Sequence, residues 1–357
     1  MGWYKLLPAG IGRRYASRLF CSQELSLLEG MGLIYRTRNG RDYRLRPKGS
    51  GLLEGLGFAC PQDKKYVSDA KTIRNRERAA LVMTAFYRAG NSIFGDSPAG
   101  WTGFLSFAAM RRSRLLPSQA FPGLSLMGAA RNGERIYGCC YVEEGGQLCL
   151  QNELRALGKL AADRGTGLFL CGECYGDILN RLKAPPAPAR RNGALPYGAL
   201  LRQGGPPVSL LECSDAGAAQ LLLTGRKGYR KELARLALGG LEPSGSCLWA
   251  DGVYRSRPAI VGVDTELPRL LTACQAAEGA RPIIIAFKEQ LPAIADYCSP
   301  YRPELLGGGW KEALSALGLG LYDPPQEAYL NAEGRCLDAA LIQANRRMGK
   351  PAESEVL

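Results

Sequence analysis

The sequence predicts an α/β protein, α+β when the whole chain is counted: a basic helix-and-hairpin module followed by a larger α/β domain. Three observations predict it. Lysine and arginine outnumber the acids 20 to 8 over residues 1–120, but only 26 to 25 over the remainder of the 357 residues. An Asn39-Gly40 pair divides two short segments rich in apolar and basic side chains. Beyond Pro122, short apolar runs alternate with amphipathic stretches, as strands and helices do when wound into one layered domain.

Composition removes much chemistry before any motif is read. The chain has no histidine, so Ser-His-Asp and Cys-His nucleophile pairs, His-ligated zinc and paired-histidine relaxase metal sites each lack a required part. Its 12 cysteines fall mostly inside apolar runs such as QLCLQ and LTACQAA, and read as small buried hydrophobes rather than a disulfide scaffold. Cys171-Gly-Glu-Cys174 is the one CxxC pair. Without a second pair at metal spacing it is expected to be a strand end, with metal or redox use the lesser reading. No apolar run reaches the roughly 18–20 residues that span a bilayer. Met1–Phe20 is interrupted by Arg13, Arg14 and Arg18, unlike a signal peptide. A cytoplasmic protein without a membrane partner is expected.

The basic front, residues 1–90, can be laid out element by element. Ile11 to Leu19 can form a helix bearing the three arginines just named. CSQELSLLEGMG gives a second short helix, with Leu25, Leu27, Leu28 and Met31 apolar before Gly32. In LIYRTRNGRDYRLRPKG, Asn39-Gly40 predicts a two-residue turn, because both central residues of the type I′ form need positive φ. Folding there pairs Arg38 with Arg41 at the tip, Arg36 with Tyr43, and Ile34 with Leu45 at the apolar base. Arg44, Arg46 and Lys48 follow on the second strand and just after it. Leu52 and Leu53 then lead into another helix. A longer helix is expected in KTIRNRERAALVMTAFYRA, where Leu81, Val82, Ala85, Phe86 and Ala89 recur at helical spacing below a basic first half. Helix, helix and hairpin, ending in Lys48-Gly49 and Leu52-Leu53, resembles a winged helix-turn-helix. The competing reading is a winged helix used for protein contacts, since Glu24 and Glu29 lie on the helix in the recognition position.

Residues 91–122 form a Gly/Pro-rich connection, residues 123–345 the α/β domain with a Pro-rich loop at 183–196, and residues 346–357 a tail. SLMGAA and RIYGCCYVEE predict a hairpin across Arg131-Asn132-Gly133, QNELRALGKLAADR a helix, GLFLCGE a buried strand and YGDILNRL a helix. CLWADGVY, PAIVGVDTE, LPRLLTACQAAEGA, RPIIIAFKE and LPAIADYC repeat that order late in the chain. Between them, DAGAAQLLLTGRKGYRKELARLAL reads as one amphipathic helix.

One constellation could carry chemistry. Asp251 opens one expected strand and Asp264-Thr265-Glu266 closes the next, so their oxygens could hold a divalent cation. This layout, with the basic front, resembles the replication-relaxation family, winged-helix proteins of plasmids and conjugative elements. Their C-terminal domain places a Pro-Asp-Gly stretch and a Glu-x-Asp strand in a restriction-endonuclease-like setting. Asp251 and Asp264 stand in the corresponding places, over residues 247–290. Gly262 stands where the family's glutamate is expected, and Lys288 on the next strand is the nearest substitute for a catalytic lysine. Those departures imply a degenerate domain that keeps the fold and not the reaction.

The resemblance implies a DNA-binding accessory or regulatory protein of a mobile element, with double-stranded DNA and other proteins of that element as partners and no cofactor. Arg13, Arg14, Arg18, Arg36, Arg38, Arg41, Arg44, Arg46 and Lys48 would contact phosphates. The alternatives are a Mg²⁺- or Mn²⁺-dependent nuclease using Asp251, Asp264, Glu266 and Lys288, and a protein–protein adaptor. Nothing in the sequence speaks to oligomeric state.

Overall fold

A computed structural model of the chain describes residues 22–36, 43–49, 51, 70–91, 103–107, 110, 126–143, 147–148, 165–184, 195–196, 201, 206–244, 249–277 and 279–322. The chain forms two compact units, residues 1–104 with 322–357, and residues 105–321. The second unit runs to Leu321. Tyr322 already belongs to the first unit: its carbonyl accepts a hydrogen bond from Arg88 Nη1 at 2.9 Å, and its ring meets Tyr87 edge-on.

In the first unit, helix α1 (Ser22–Gly30) leads through Gly32, at φ +69°, into an antiparallel pair, β1 (Ile34–Arg36) and β2 (Tyr43–Leu45). The register is the expected one, Ile34 opposite Leu45 and Arg36 opposite Tyr43. Leu25, Leu28, Leu33, Ile34 and Tyr43 form the buried base of this hairpin. The chain then becomes helical at Pro47, where proline suits a first turn that has no partner for its N–H. Gly49 matters here because a Cβ would overlap the Leu33 carbonyl oxygen, which already accepts from Arg46 N at 2.9 Å. Helix α2 (Ala70–Arg88) buries Leu81, Val82, Ala85 and Phe86, with Ala89 just past its end, as the spacing predicted. The expected first helix with Arg13, Arg14 and Arg18, and the hairpin tip with Arg38 and Arg41, lie outside the described residues.

The second unit contains two sheets. Strands β4 (Leu126–Asn132), β5 (Arg135–Tyr141), β7 (Thr166–Gly172) and β9 (Val208–Glu212) lie side by side, antiparallel at the first pairing and parallel at the next two. A short strand, β3 (Phe104–Ser106), forms the outer edge beside β4. Strands β10 (Gly252–Tyr254), β11 (Arg257–Val261), β12 (Ile283–Phe287) and β13 (Glu304–Gly308) repeat the same sequence of pairings. A two-stranded pair, β6 (Gln147–Leu148) with β8 (Leu195–Pro196), stands apart. Helices α3 (Tyr175–Lys183) and α4 (Asp215–Thr224) follow β7 and β9. Helices α6 (Leu267–Gln275), α7 (Leu291–Tyr297) and α8 (Trp310–Ala316) follow β11, β12 and β13.

Two expectations are corrected. The single helix expected from Asp215 onward is two, α4 and α5 (Tyr229–Leu238), because the chain turns through Gly225 and through Gly228 at φ +80°. The first hairpin turns one residue later than expected. Asn132 pairs with Arg135, Gly133 takes φ +60°, and the Asn132 amide is occupied by Thr224 Oγ1 at 2.7 Å.

The second sheet shows how strand alternation builds the core. Ile260, Ile284 and Ala286 face Leu270, Ala273, Cys274 and Ile294 of α6 and α7. Their neighbours Val261, Ile285 and Phe287 point the other way, onto Ala219, Leu223, Leu233, Ala234 and Leu314 of α4, α5 and α8. Side chains two apart share a face, so the continuous apolar run IIIAF suits a strand covered on both sides. The two halves are joined helix to counterpart helix: α3 packs on α7, and α4 on α8.

Candidate functional site

The two halves meet around a turn of unusual backbone. Thr265 has φ +48°, rare for a β-branched residue, and its N–H closes a tight turn onto Gly262 O at 2.9 Å. It is held there from outside. Thr265 Oγ1 donates to Leu210 O at 2.7 Å and accepts from Gln220 Nε2 at 3.1 Å. Gln220 Oε1 accepts from Tyr175 Oη at 2.7 Å, and Gln290 Nε2 donates to Val263 O at 2.9 Å. Burial raises the Tyr175 phenol, so it stays a proton donor. Gln220 and Gln290 are completely buried with both ends of each amide satisfied, which favours one arrangement of the halves over others.

The turn throws Asp264 and Glu266 to the C-terminal end of β11, where the structure brings Asp264 together with Asp251. What lies between them is guanidinium. Arg269 donates to Asp251 Oδ2 at 2.5 Å and to Asp264 Oδ2 at 3.4 Å. Arg230 donates to Asp264 Oδ2 at 2.6 Å and comes within 3.8 Å of Asp251 Oδ1. Tyr229 Oη donates to Asp264 Oδ2 at 2.7 Å, and Val261 N to Asp251 Oδ2 at 2.7 Å. Burial works to raise the Asp264 carboxyl, but Arg269 and Arg230 outweigh it and hold the group below the usual carboxylate range. Burial raises the Tyr229 phenol, and the charge of Asp264 adds to that.

The other two sequence candidates stand apart. Glu266 pairs with Arg135 at 3.6 Å, and burial, then the charge of Asp264, raises its carboxyl. Lys288 is exposed beyond β12, and the cations that reach the two aspartates are Arg230 and Arg269. Among the described residues no group of three or more cysteines and acids is placed to hold a metal ion. Cys171 is buried in β7, while Cys174 caps α3 by accepting from Asp177 N at 3.4 Å, so the two thiols serve separate places.

Arg230, Tyr229, Arg269, Gln220 and Gln290 were missed by sequence reasoning. Three carried a signal: Arg269 in LPRLLTACQ and Gln220 in DAGAAQLLLT are single polar residues on apolar helices, and Gln290 opens one. A buried polar residue of that kind needs partners.

In the first unit the hairpin carries its cations at the surface. Arg36, Arg46 and Lys48 are exposed. Arg36 lies 3.5 Å from Glu29 Oε2 and 5.4 Å from the centre of the Tyr43 ring, and Arg46 lies 5.9 Å from that of Tyr35. Glu29, one of the two acids that argued against a phosphate-facing helix, is thus partly neutralised by the hairpin itself. No helix of the described residues is long and apolar enough to cross a membrane. No protein-family model, no curated protein and no solved structure matches the chain.

Proposed function

We propose that the chain is a cytoplasmic protein that binds double-stranded DNA, an accessory or regulatory component of a plasmid or conjugative element related to the replication-relaxation family. The observation that carries this is the hairpin. Its apolar base is buried, Ile34 pairs with Leu45 and Arg36 with Tyr43, and Arg36, Arg46 and Lys48 carry exposed charge. Phosphate contacts of this kind give affinity and orientation, not sequence choice. The α/β unit is read as a degenerate restriction-endonuclease-like domain in which guanidinium groups, not a metal ion, compensate the aspartates.

The test is binding of the full chain to a labelled duplex at stepped salt. Log affinity should fall with log salt by about 0.9 for each phosphate neutralised. Arg38→Glu with Arg41→Glu should weaken binding strongly, and unchanged binding would remove the hairpin from the reading. Incubation with plasmid DNA and Mg²⁺ or Mn²⁺ should give no cleavage. Cleavage abolished by Asp264→Ala would instead establish the nuclease.

A further inference from the structure

The charges around the aspartates are layered. Asp251, Asp264 and Glu266 lie inside, with 14%, 10% and 15% of their side chains accessible. Arg269 is buried between the two aspartates at 6%, while Arg230, paired with the aspartates, and Arg135, paired with Glu266, reach solvent at 35% and 46%. A nearly balanced cluster therefore presents its positive side to solvent. Two turns extend that surface. The β4–β5 turn and the α4–α5 turn are fastened by Asn132 Nδ2 donating to Thr224 Oγ1 at 2.7 Å, so residues 131–135 and 224–235 form one patch. Together they contain seven lysines and arginines against two acids. One of those acids, Glu232, is taken by Arg226 at 3.4 Å. Lys227 and Lys231 are exposed and have no acidic partner among the described residues. Gly228, beside Lys227, has no atom within 4 Å of where a Cβ would be, leaving the turn's backbone open to close approach.

We infer that this patch is a second phosphate-contacting surface, on the α/β unit, and that it takes the backbone of duplex nucleic acid. The inference rests on the reading of the chain as a duplex-binding protein and adds a contact that reading does not contain. A flexible array of lysines alone would be a solvated surface. Here Arg230 is fixed from behind by the buried Asp264 carboxylate and Arg135 is paired with Glu266, so these two have less side-chain freedom to lose on meeting a phosphate. The turns themselves, residues 131–135 and 224–231, carry no exposed large apolar side chain of the kind that enters a lipid interface. That favours nucleic acid over an anionic membrane.

The experiment uses the full chain, a labelled duplex of about 25 base pairs, and salt titration. Lys227→Glu with Lys231→Glu should weaken binding at least tenfold and reduce the salt slope by about 1.8, two contacts at about 0.9 each. Arg255→Glu with Arg281→Glu makes the same charge change at the opposite end of β11 and β12, and should leave the slope as it is. Equal losses in both pairs would mean a general charge effect and overturn the surface, as would unchanged binding by the Lys227/Lys231 variant. If that variant loses affinity while Arg38→Glu/Arg41→Glu does not, the surface stands and the hairpin falls. Absence of duplex binding by the parent chain overturns both. Binding to phosphatidylserine vesicles that duplex does not displace would assign the patch to lipid and overturn the inference.

Discussion

At the scale of single residues, Arg269 holds the most. Its side chain is only 6% accessible and it touches both aspartates. Removing one partner of a buried ion pair strands charge in a poor solvent, a loss of about 3–5 kcal/mol. Arg269→Ala should therefore lower unfolding free energy by about that amount in a urea titration. A loss under about 1 kcal/mol would mean that the carboxylates relax to water. The pH dependence follows from Asp264, whose folded carboxyl is held below the ordinary value of about 3.9. Its contribution is complete above that value and is lost as pH falls through the folded pKa. Melting from pH 5 to pH 2 should show the parent falling steeply and Asp264→Asn, less stable at pH 6, falling less. Glu266 has the opposite sign. Its folded carboxyl is raised, so ionisation at neutral pH works against the fold, and its pairing with the half-exposed Arg135 returns little. Glu266→Gln should melt no lower than the parent at pH 7; a clear fall in Tm would show the Arg135 pair to matter more.

At the scale of elements, the legible parts were those in which one local rule decides. The pairing of Ile34 with Leu45 is the register the sequence suggested, apolar residues at helical spacing mark the buried face of α2, and IIIAF marks a strand covered on both sides. The hidden parts were those settled by distant partners. Gly225 and Gly228 in TGRKGYRKE are a local signal for a break, which the apolar periodicity of the stretch hid. The break follows from Gly228 adopting φ +80° and from Asn132, some ninety positions earlier, holding Thr224. Thr265 is similar: a threonine with positive φ is legible only once Leu210 and Gln220 are seen to hold it. The candidate site divides in the same way. Asp251 and Asp264 were legible as a converging pair because strand ends place them, whereas Arg230 comes from a helix that sequence reasoning had fused to its neighbour. Gly49 gives the element-level test. A side chain there would collide with the Leu33 carbonyl at the base of the hairpin. Gly49→Val should therefore unfold the hairpin unit first, seen as amide exchange rising over residues 25–49 while residues 206–321 stay protected. Uniform protection would show that the close approach is dispensable.

At the scale of the molecule, the missing histidine leaves few groups to titrate near neutrality. The buried thiols of Cys139, Cys171 and Cys213 are raised and stay neutral there, while the Cys274 thiol, lowered by a hydrogen bond with Cys298, is buried under α6 and α7. Duplex affinity should accordingly vary little between pH 6 and pH 8 at fixed salt. A change beyond about threefold would point to a titrating contact among the cations.

The repeated order of the α/β unit has a consequence of its own. Each half ends in helices that are met by their counterparts, α3 by α7 and α4 by α8, much as two copies of a protein meet across a symmetric interface. The chain thus carries its own dimerisation partner, tethered through residues 239–249. Tethering makes association intramolecular and independent of protein concentration. A split placed in that tether should give two fragments that find each other when co-expressed, and each, made alone, should pair with itself or precipitate.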